Sequence, residues 1–230
     1  MKSESLELAP LLARRELWLF LSAAYMDPYH RGRFELLRDP VFRQRVAQSA
    51  SLLAQEAPAS ALGPGELPPE KLSLQGVFDA LDKEWGALED AYRRLFGLTA
   101  ISATCPACEI EYEPNEDITY RSQRMADVAG FYQAFGMEIS DRAGERLDHI
   151  SVEAEFLYVL LAKEAAALQR GDPEAAEICQ GARRSFFEEH MGQWLPIFSQ
   201  LLSRNAPIQF YRELAVLTAS LSAAERVSLG

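Results

Sequence analysis

Nowhere in these 230 residues do eighteen or more apolar residues follow one another, so no segment is suited to cross a bilayer as a helix. The opening MKSESLELAPLLARRELWLF is polar and acidic before its first apolar run, and Arg14, Arg15 and Glu16 break that run. No signal peptide is therefore expected, and the chain reads as cytoplasmic. Cysteines number three, an odd count that does not resemble a disulfide framework and agrees with a reducing compartment. No G-x-x-x-x-G-K-[ST] loop occurs, nor a G-x-G-x-x-G after a strand, so no nucleotide site is expected. Positive charge is also in short supply. Lys and Arg total 23 against 34 Asp and Glu, a formal net charge of -11, which disfavours nucleic acid and anionic lipid and leaves two readings, solubility or a basic peptide partner. Period-two alternation is missing and β-branched residues are sparse, which excludes a sheet protein.

Helical periodicity is what remains, carried by a composition that is 48% hydrophobic and can build a substantial core. Leu11, Arg15, Trp18, Leu19, Ser22 and Tyr25 mark a first amphipathic helix, with a stop expected at Asp27-Pro28. A second helix is expected from Val41 to Ala57. The Pro- and Gly-rich segment from Ala57 to Lys71 reads as an irregular surface loop. Leu74, Val77, Phe78, Leu81, Trp85, Leu88, Tyr92 and Leu95 give the clearest helix, stopped at Gly97. Thr99 to Thr119 has no period and is expected as a long ordered loop. Val128, Phe131, Tyr132 and Phe135 define a helix ending near Gly136, and Ile150, Ala154, Leu157, Leu161, Ala165 and Leu168 a longer one. Asp172 as N-cap and Pro173 at the first position start another, running to about His190. Two more are expected over Trp194–Leu202 and Pro207–Ala224. The expectation is an all-α single domain over 1–230 with about eight to ten helices.

Two features of the chain carry chemistry. Asp148-His149 stands where the long helix starts, so Asp148 reads as an N-cap or as a charge facing a ligand, and His149 as a hydrogen-bonding partner. Glu153, four residues on, shares a face with His149; it either orients the imidazole, pairs with a cation or is an ordinary solvated glutamate. Cys105-Pro-Ala-Cys108 has the spacing of a zinc or redox pair. Only Cys179, His30, His149 and His190 remain to complete a metal site and none forms a second close pair, so packing of a loop against the core is the default reading. Trp85, Tyr92 and Phe96 lie along one side of the clearest helix, where such stripes are usually core. Glu109, Glu111, Tyr112 and Glu113 put three acids around one tyrosine, a pattern better suited to an arginine-rich peptide than to a core.

MADVAGFYQAFG from Met125, followed by ER-x-DH-x-x-x-E, resembles the signature of the TorD/DmsD/NarJ family of redox enzyme maturation chaperones. Leu95-Phe96 and CPACEIEYEP from Cys105 resemble the CPxYExEY region that precedes that signature, most closely in the branch serving type II dimethyl sulfoxide reductase-like enzymes. The resemblance spans roughly Leu74 to Ala165. Leu147 stands where the family commonly has proline, and Cys108 where an aromatic is common.

This resemblance implies a TorD-like helical fold and a non-catalytic, system-specific chaperone without a cofactor or metal. Its implied partner is the catalytic subunit of a molybdopterin-dependent oxidoreductase and that subunit's twin-arginine leader, held until maturation and then exported. Asp148, His149 and Glu153 would form the polar end of a client groove, with Trp85, Tyr92, Phe96, Glu109 and Tyr112 as its aromatic walls and acidic rim. Stable membrane insertion and nucleic-acid binding are not implied. A monomer and a dimer exchanging helices across the Ala57–Lys71 loop both fit. Two other readings stand beside it: a small metal- or thiol-dependent enzyme centred on Cys105 and Cys108, and a general helical adaptor.

Overall fold

The computed structural model describes residues 2–29, 32–56, 62–97, 105–115, 117–138 and 144–230, with residues 2–7 and 33 through their backbone alone. Nine α-helical segments appear among these residues: α1 (Lys2–Ala24), α2 (Pro40–Leu53), α3 (Gln75–Glu84), α4 (Leu88–Phe96), α5 (Ile118–Ala134), α6 (Ile150–Gln169), α7 (Pro173–Phe186), α8 (Gly192–Asn205) and α9 (Gln209–Leu229). A 3-10 turn at Trp85–Ala87 joins α3 to α4 and a π turn at Phe187–Met191 joins α7 to α8, so the segments form seven continuous rods. The expected eight to ten is slightly too many for that reason. Within the described residues the sole β pairing is an isolated antiparallel bridge between Cys108 and His149.

Side-chain chemistry sets several of the boundaries. Asp39 accepts from the Phe42 amide and Pro40 occupies the first helical position of α2. Asp172 does the same for α7 through the Ala175 amide, as expected. Gly136 and Gly171 take φ of +69° and +70° after α5 and α6. At each end two reverse hydrogen bonds close the last turn, Met137 N to Tyr132 O and Asp172 N to Ala167 O being the outer ones. α1 extends well ahead of Leu11, with Pro10 inside it, and α2 stops four residues short of the expected Ala57.

The helices α1 and α6 lie along one another at the centre. α2 packs beside α1, α7 beside α6, and α8 beside α9, which also packs on α3. Side chains from all nine segments, among them Trp18, Phe42, Val77, Leu88, Tyr132, Phe156, Phe186, Trp194 and Phe210, form one contiguous core. At roughly 25 cal/mol per Å² of apolar surface, such burial is the main favourable contribution to folding. No helix of the described residues is long and apolar enough to cross a membrane.

The Ala57–Lys71 loop, named above as a hinge, lies outside the described residues over 57–61. Its remainder is irregular apart from a 3-10 turn at Pro69–Lys71, and is tied down by Leu67 N on Ala219 O and by Arg226 on Glu66. The expected Thr99–Thr119 loop lies outside over 98–104 and 116, and His30 lies outside as well. Residues 105–115 run as ordered chain with a 3-10 turn at Glu109–Tyr112.

Candidate functional site

The backbone clamps the Cys105–Glu113 segment onto the start of α6. Ile150 N donates to Ala107 O (2.8 Å), Glu109 N to Asp148 O (2.9 Å), and the Cys108–His149 bridge lies between them. Tyr132 reaches from α5 to hold the other side of the junction, its hydroxyl donating to Leu147 O at 2.8 Å. Leu147, without the fixed angle of a proline, is thus positioned by a neighbouring hydroxyl.

The residue that caps α6 is His149, not Asp148. Its Nδ1 lies 3.3 Å from the Ser151 amide and 2.7 Å from the Ser151 hydroxyl. Burial pushes the imidazole down to about 3, aided by the nearby Arg146, so the ring is neutral at physiological pH. Asp148 is 1% exposed. It takes Arg146 in a two-pronged pair, Nε to Oδ1 at 3.0 Å and Nη2 to Oδ2 at 2.8 Å, and also accepts from the Ile110 amide at 3.1 Å. Arg146 itself is exposed and also binds Glu111. The carboxylate therefore meets an arginine of its own chain.

Glu153 is fully buried, which overturns its reading as a solvated glutamate. Its Oε2 accepts from the Trp194 indole at 3.1 Å, and the carboxyl of Glu109 lies against it. The partner that reaches the His149 imidazole is Glu145 instead, 3.6 Å from Nε2. Burial raises Glu153 well above the ordinary carboxyl value, and Glu109 raises it further. Glu109 moves the other way: His190 and Arg124 outweigh its burial and hold it below the ordinary value. His190 stands on the π turn with Nδ1 3.1 Å from both Glu109 oxygens and Nε2 3.2 Å from Asp127. Arg124 of α5 binds Glu109 and the Glu189 carbonyl.

Of the expected site residues, Asp148, His149, Glu153, Glu109 and Tyr112 come together. Tyr112 stacks on Trp194 with ring centroids 5.2 Å apart and donates to Pro106 O. Tyr92 joins through Glu145, which accepts from its hydroxyl and faces His149, and Phe96 joins through Tyr92 and Phe198. Trp85 stands apart. It is half-buried under the Arg38 guanidinium, 4.6 Å from its ring, and lines a cavity of about 610 Å³ with Tyr29, Phe34 and Glu35. The sequence reading missed Arg146, Glu145, Arg124, Asp127 and Trp194. Glu145 and Arg146 were present in the ER-x-DH string as signals; the others are brought in by the fold.

The cysteine pair is not arranged for thiolate chemistry. Burial pushes Cys105 and Cys108 each up to about 12, so both remain thiols at neutral pH. The Cys105 thiol lies 3.7 Å from Phe198 O, in the packing role set out as the default. Among the described residues, no three His, Cys, Asp or Glu side chains are placed to hold a metal ion.

Comparison with known proteins covers this same region. The family model described as nitrate reductase delta subunit matches residues 68–200, which contain every site residue named above. The chain is 33% identical over 133 residues to the chlorate reductase assembly chaperone protein of Ideonella dechloratans, covering 57% of this chain and 65% of that relative. It is 30% identical over 161 residues to the selenate reductase assembly chaperone protein of Thauera selenatis, covering 70% of this chain and 79% of the relative. The perchlorate reductase assembly chaperone protein of Dechloromonas aromatica (strain RCB) matches at 33% over 86 residues, 37% of each chain. No solved structure matches the chain.

Proposed function

The chain belongs to the nitrate reductase delta subunit family, and from that membership we propose that it is a cytoplasmic assembly chaperone for the catalytic subunit of a molybdenum-dependent oxidoreductase. The observation that carries the reading is the coincidence of the matched segment with the buried network around Asp148, His149 and Glu153. It performs no chemistry: it binds an immature client and holds back its export until the cofactor is in place. The chain takes the client's twin-arginine leader on Glu111, Glu113 and Asp127, carboxylates that reach solvent while also meeting Arg146, Arg124 and His190 of this chain, so the leader's arginines share or displace these partners. Each charge-assisted contact there contributes roughly 1.5–3 kcal/mol at most, less where solvent screens it. Asp148, His149 and Glu153 act from beneath. They fix the course of the acidic turn, while Tyr112, Tyr92 and Phe96 supply its aromatic support and Trp85 an outlying wall.

Calorimetry with a twin-arginine leader peptide tests the assignment. Glu111→Gln with Glu113→Gln should weaken binding by about tenfold and leave the helical circular dichroism intact. Asp148→Ala with His149→Ala should weaken it too, with some loss of stability. Unchanged affinity in both variants overturns the leader site. Absence of any molybdenum-enzyme subunit among proteins captured from the native cell would overturn the chaperone reading itself.

A further inference from the structure

Glu153 presents an imbalance that hydrogen bonding between ordinary carboxylates cannot resolve. The side chain is fully buried on α6, Oε2 is satisfied by Trp194, and Oε1 finds no donor among the described residues. What faces it is another carboxyl group, that of Glu109. Two carboxylates in contact repel and neither can donate, whereas a carboxylic acid beside a carboxylate makes a strong hydrogen bond. The surroundings decide which of the two keeps the charge. Arg124 and His190 both contact Glu109, and Asp127 backs the far nitrogen of His190. Glu153 is faced by Trp194 from α8, by Tyr132 from α5 and by Cys108 and Asp148 from the junction, none of them a cation. Arg146 is engaged with Asp148 and Glu111.

We propose that Glu109 and Glu153 share a single proton, carried on Glu153 and donated to Glu109, and that this proton is the clasp closing the Cys105–Glu113 segment onto α6 and α8. Glu109 lies within two residues of every backbone bond that ties the segment down: its own amide to Asp148 O, the Ile110 amide to the Asp148 carboxylate, and Ala107 O to the Ile150 amide. Loss of the proton places two like charges in contact inside the protein. The relief open to the pair is movement of the Glu109–Tyr112 turn, because α6 is fixed by the core over its whole length while this short turn is anchored by Cys105 and Ala107 at one side, by Tyr112 on Trp194 and by those bonds. The junction therefore opens on alkalisation. This inference stands independently of the client assignment, since it concerns the state of the empty chaperone.

Glu153→Gln tests it, because an amide is a permanent donor toward Glu109 while its oxygen still accepts from Trp194. At neutral pH the wild-type protein should show the infrared carbonyl band of a buried carboxylic acid that Glu153→Gln lacks. Corrected for intrinsic exchange, the protection of the Ile110 and Ile150 amides should fall about tenfold per pH unit between the ordinary carboxyl value and the raised value Glu153 has in the closed junction, and level off above it, as linkage to one proton requires. In Glu153→Gln it should stay flat. Wild-type protection that stays equal as pH rises from the ordinary carboxyl value, about 4.3, to the alkaline limit of the fold, or a variant that retains the slope or the band, overturns the proposal. Should Glu153→Gln fail to fold, His190→Phe decides, since phenylalanine fills the ring's place without a donor. Removing that donor from Glu109 should shift the slope to higher pH, and an unmoved slope overturns the clasp.

Discussion

Helix α6 carries two buried glutamates, Glu153 and Glu164, three turns and roughly 16 Å apart, and the chain satisfies them in opposite ways. Glu164 meets Arg183, which also binds Glu225 at 2.5 Å and Ser228, while Glu225 accepts from the Trp18 indole and lies within reach of Arg14. Burial raises Glu164, with Arg183 pulling it back, and the acids keep Arg183 above its ordinary value despite its own burial. At the other end Glu153 meets no cation among the described residues, and the proton proposed above takes that place. A guanidinium cannot be titrated away in any ordinary solution, whereas a shared proton can. The first cluster ties α1, α6, α7 and α9 together at all working pH values; the second makes the fastening of one loop depend on conditions.

Five variants press on that contrast. Arg183→Met should cost the most, about 3–5 kcal/mol in urea unfolding, because two carboxylates lose a common partner inside the core. Glu164→Gln should cost about 1–3 kcal/mol while Glu153→Gln at neutral pH costs little. The sign follows from linkage. Glu153 is raised in the fold, so its contribution is fully present below the ordinary carboxyl value and lost as pH rises through the folded value; the Gln variant should gain on the wild type in alkali. Equal losses from the two Gln variants would erase the distinction.

His149 sharpens the acid side. Its folded value lies near 3 against 6.5 ordinarily, so the unfolded chain takes up a proton that the fold refuses. Stability should fall as pH drops from about 6.5 toward 3, with a slope of up to about 1.4 kcal/mol per pH unit from this group. His149→Asn, which retains a capping side chain, should lack that component. The smallest effect is expected outside both clusters. Asp82→Ala, removing a surface pair with Arg43, should cost less than about 1 kcal/mol in thermal unfolding, although Arg43 lowers the Asp82 carboxyl.

Local signals in the chain were legible where they act locally. Asp172-Pro173, Gly136 and Gly171 sit at helix ends because capping and left-handed backbone are decided within four or five residues. Periodicity likewise placed Val128, Tyr132 and the stripe of α6 from Ile150 to Ala165, although Leu168 at its end is exposed. What the residue order could not show was pairing across distance. Glu153 and Trp194 are separated by 41 positions and Glu109 and His190 by 81, and nothing in residue identity announces such partners. Asp148 is a good cap by residue type, yet the arginine two residues before it captures its carboxylate and the cap passes to His149. Trp85, grouped with Tyr92 by spacing, was separated from the site by the 3-10 turn it begins.

The π turn at Phe187–Met191 sets a phase as well as a position. Widening one turn amounts to one residue more than a regular helix would use over the same rise, and each residue turns a helix by about 100°. His190 faces Glu109 and Trp194 faces Glu153 only with that extra residue in place. Shortening the turn by one residue would rotate α8 by about a quarter-turn relative to α7, taking the indole from its carboxyl with no change in either side chain. For this chain, then, length between Phe186 and Gly192 is as informative as identity: relatives that keep the Glu and Trp but differ by one residue there would have to fasten the loop by other means.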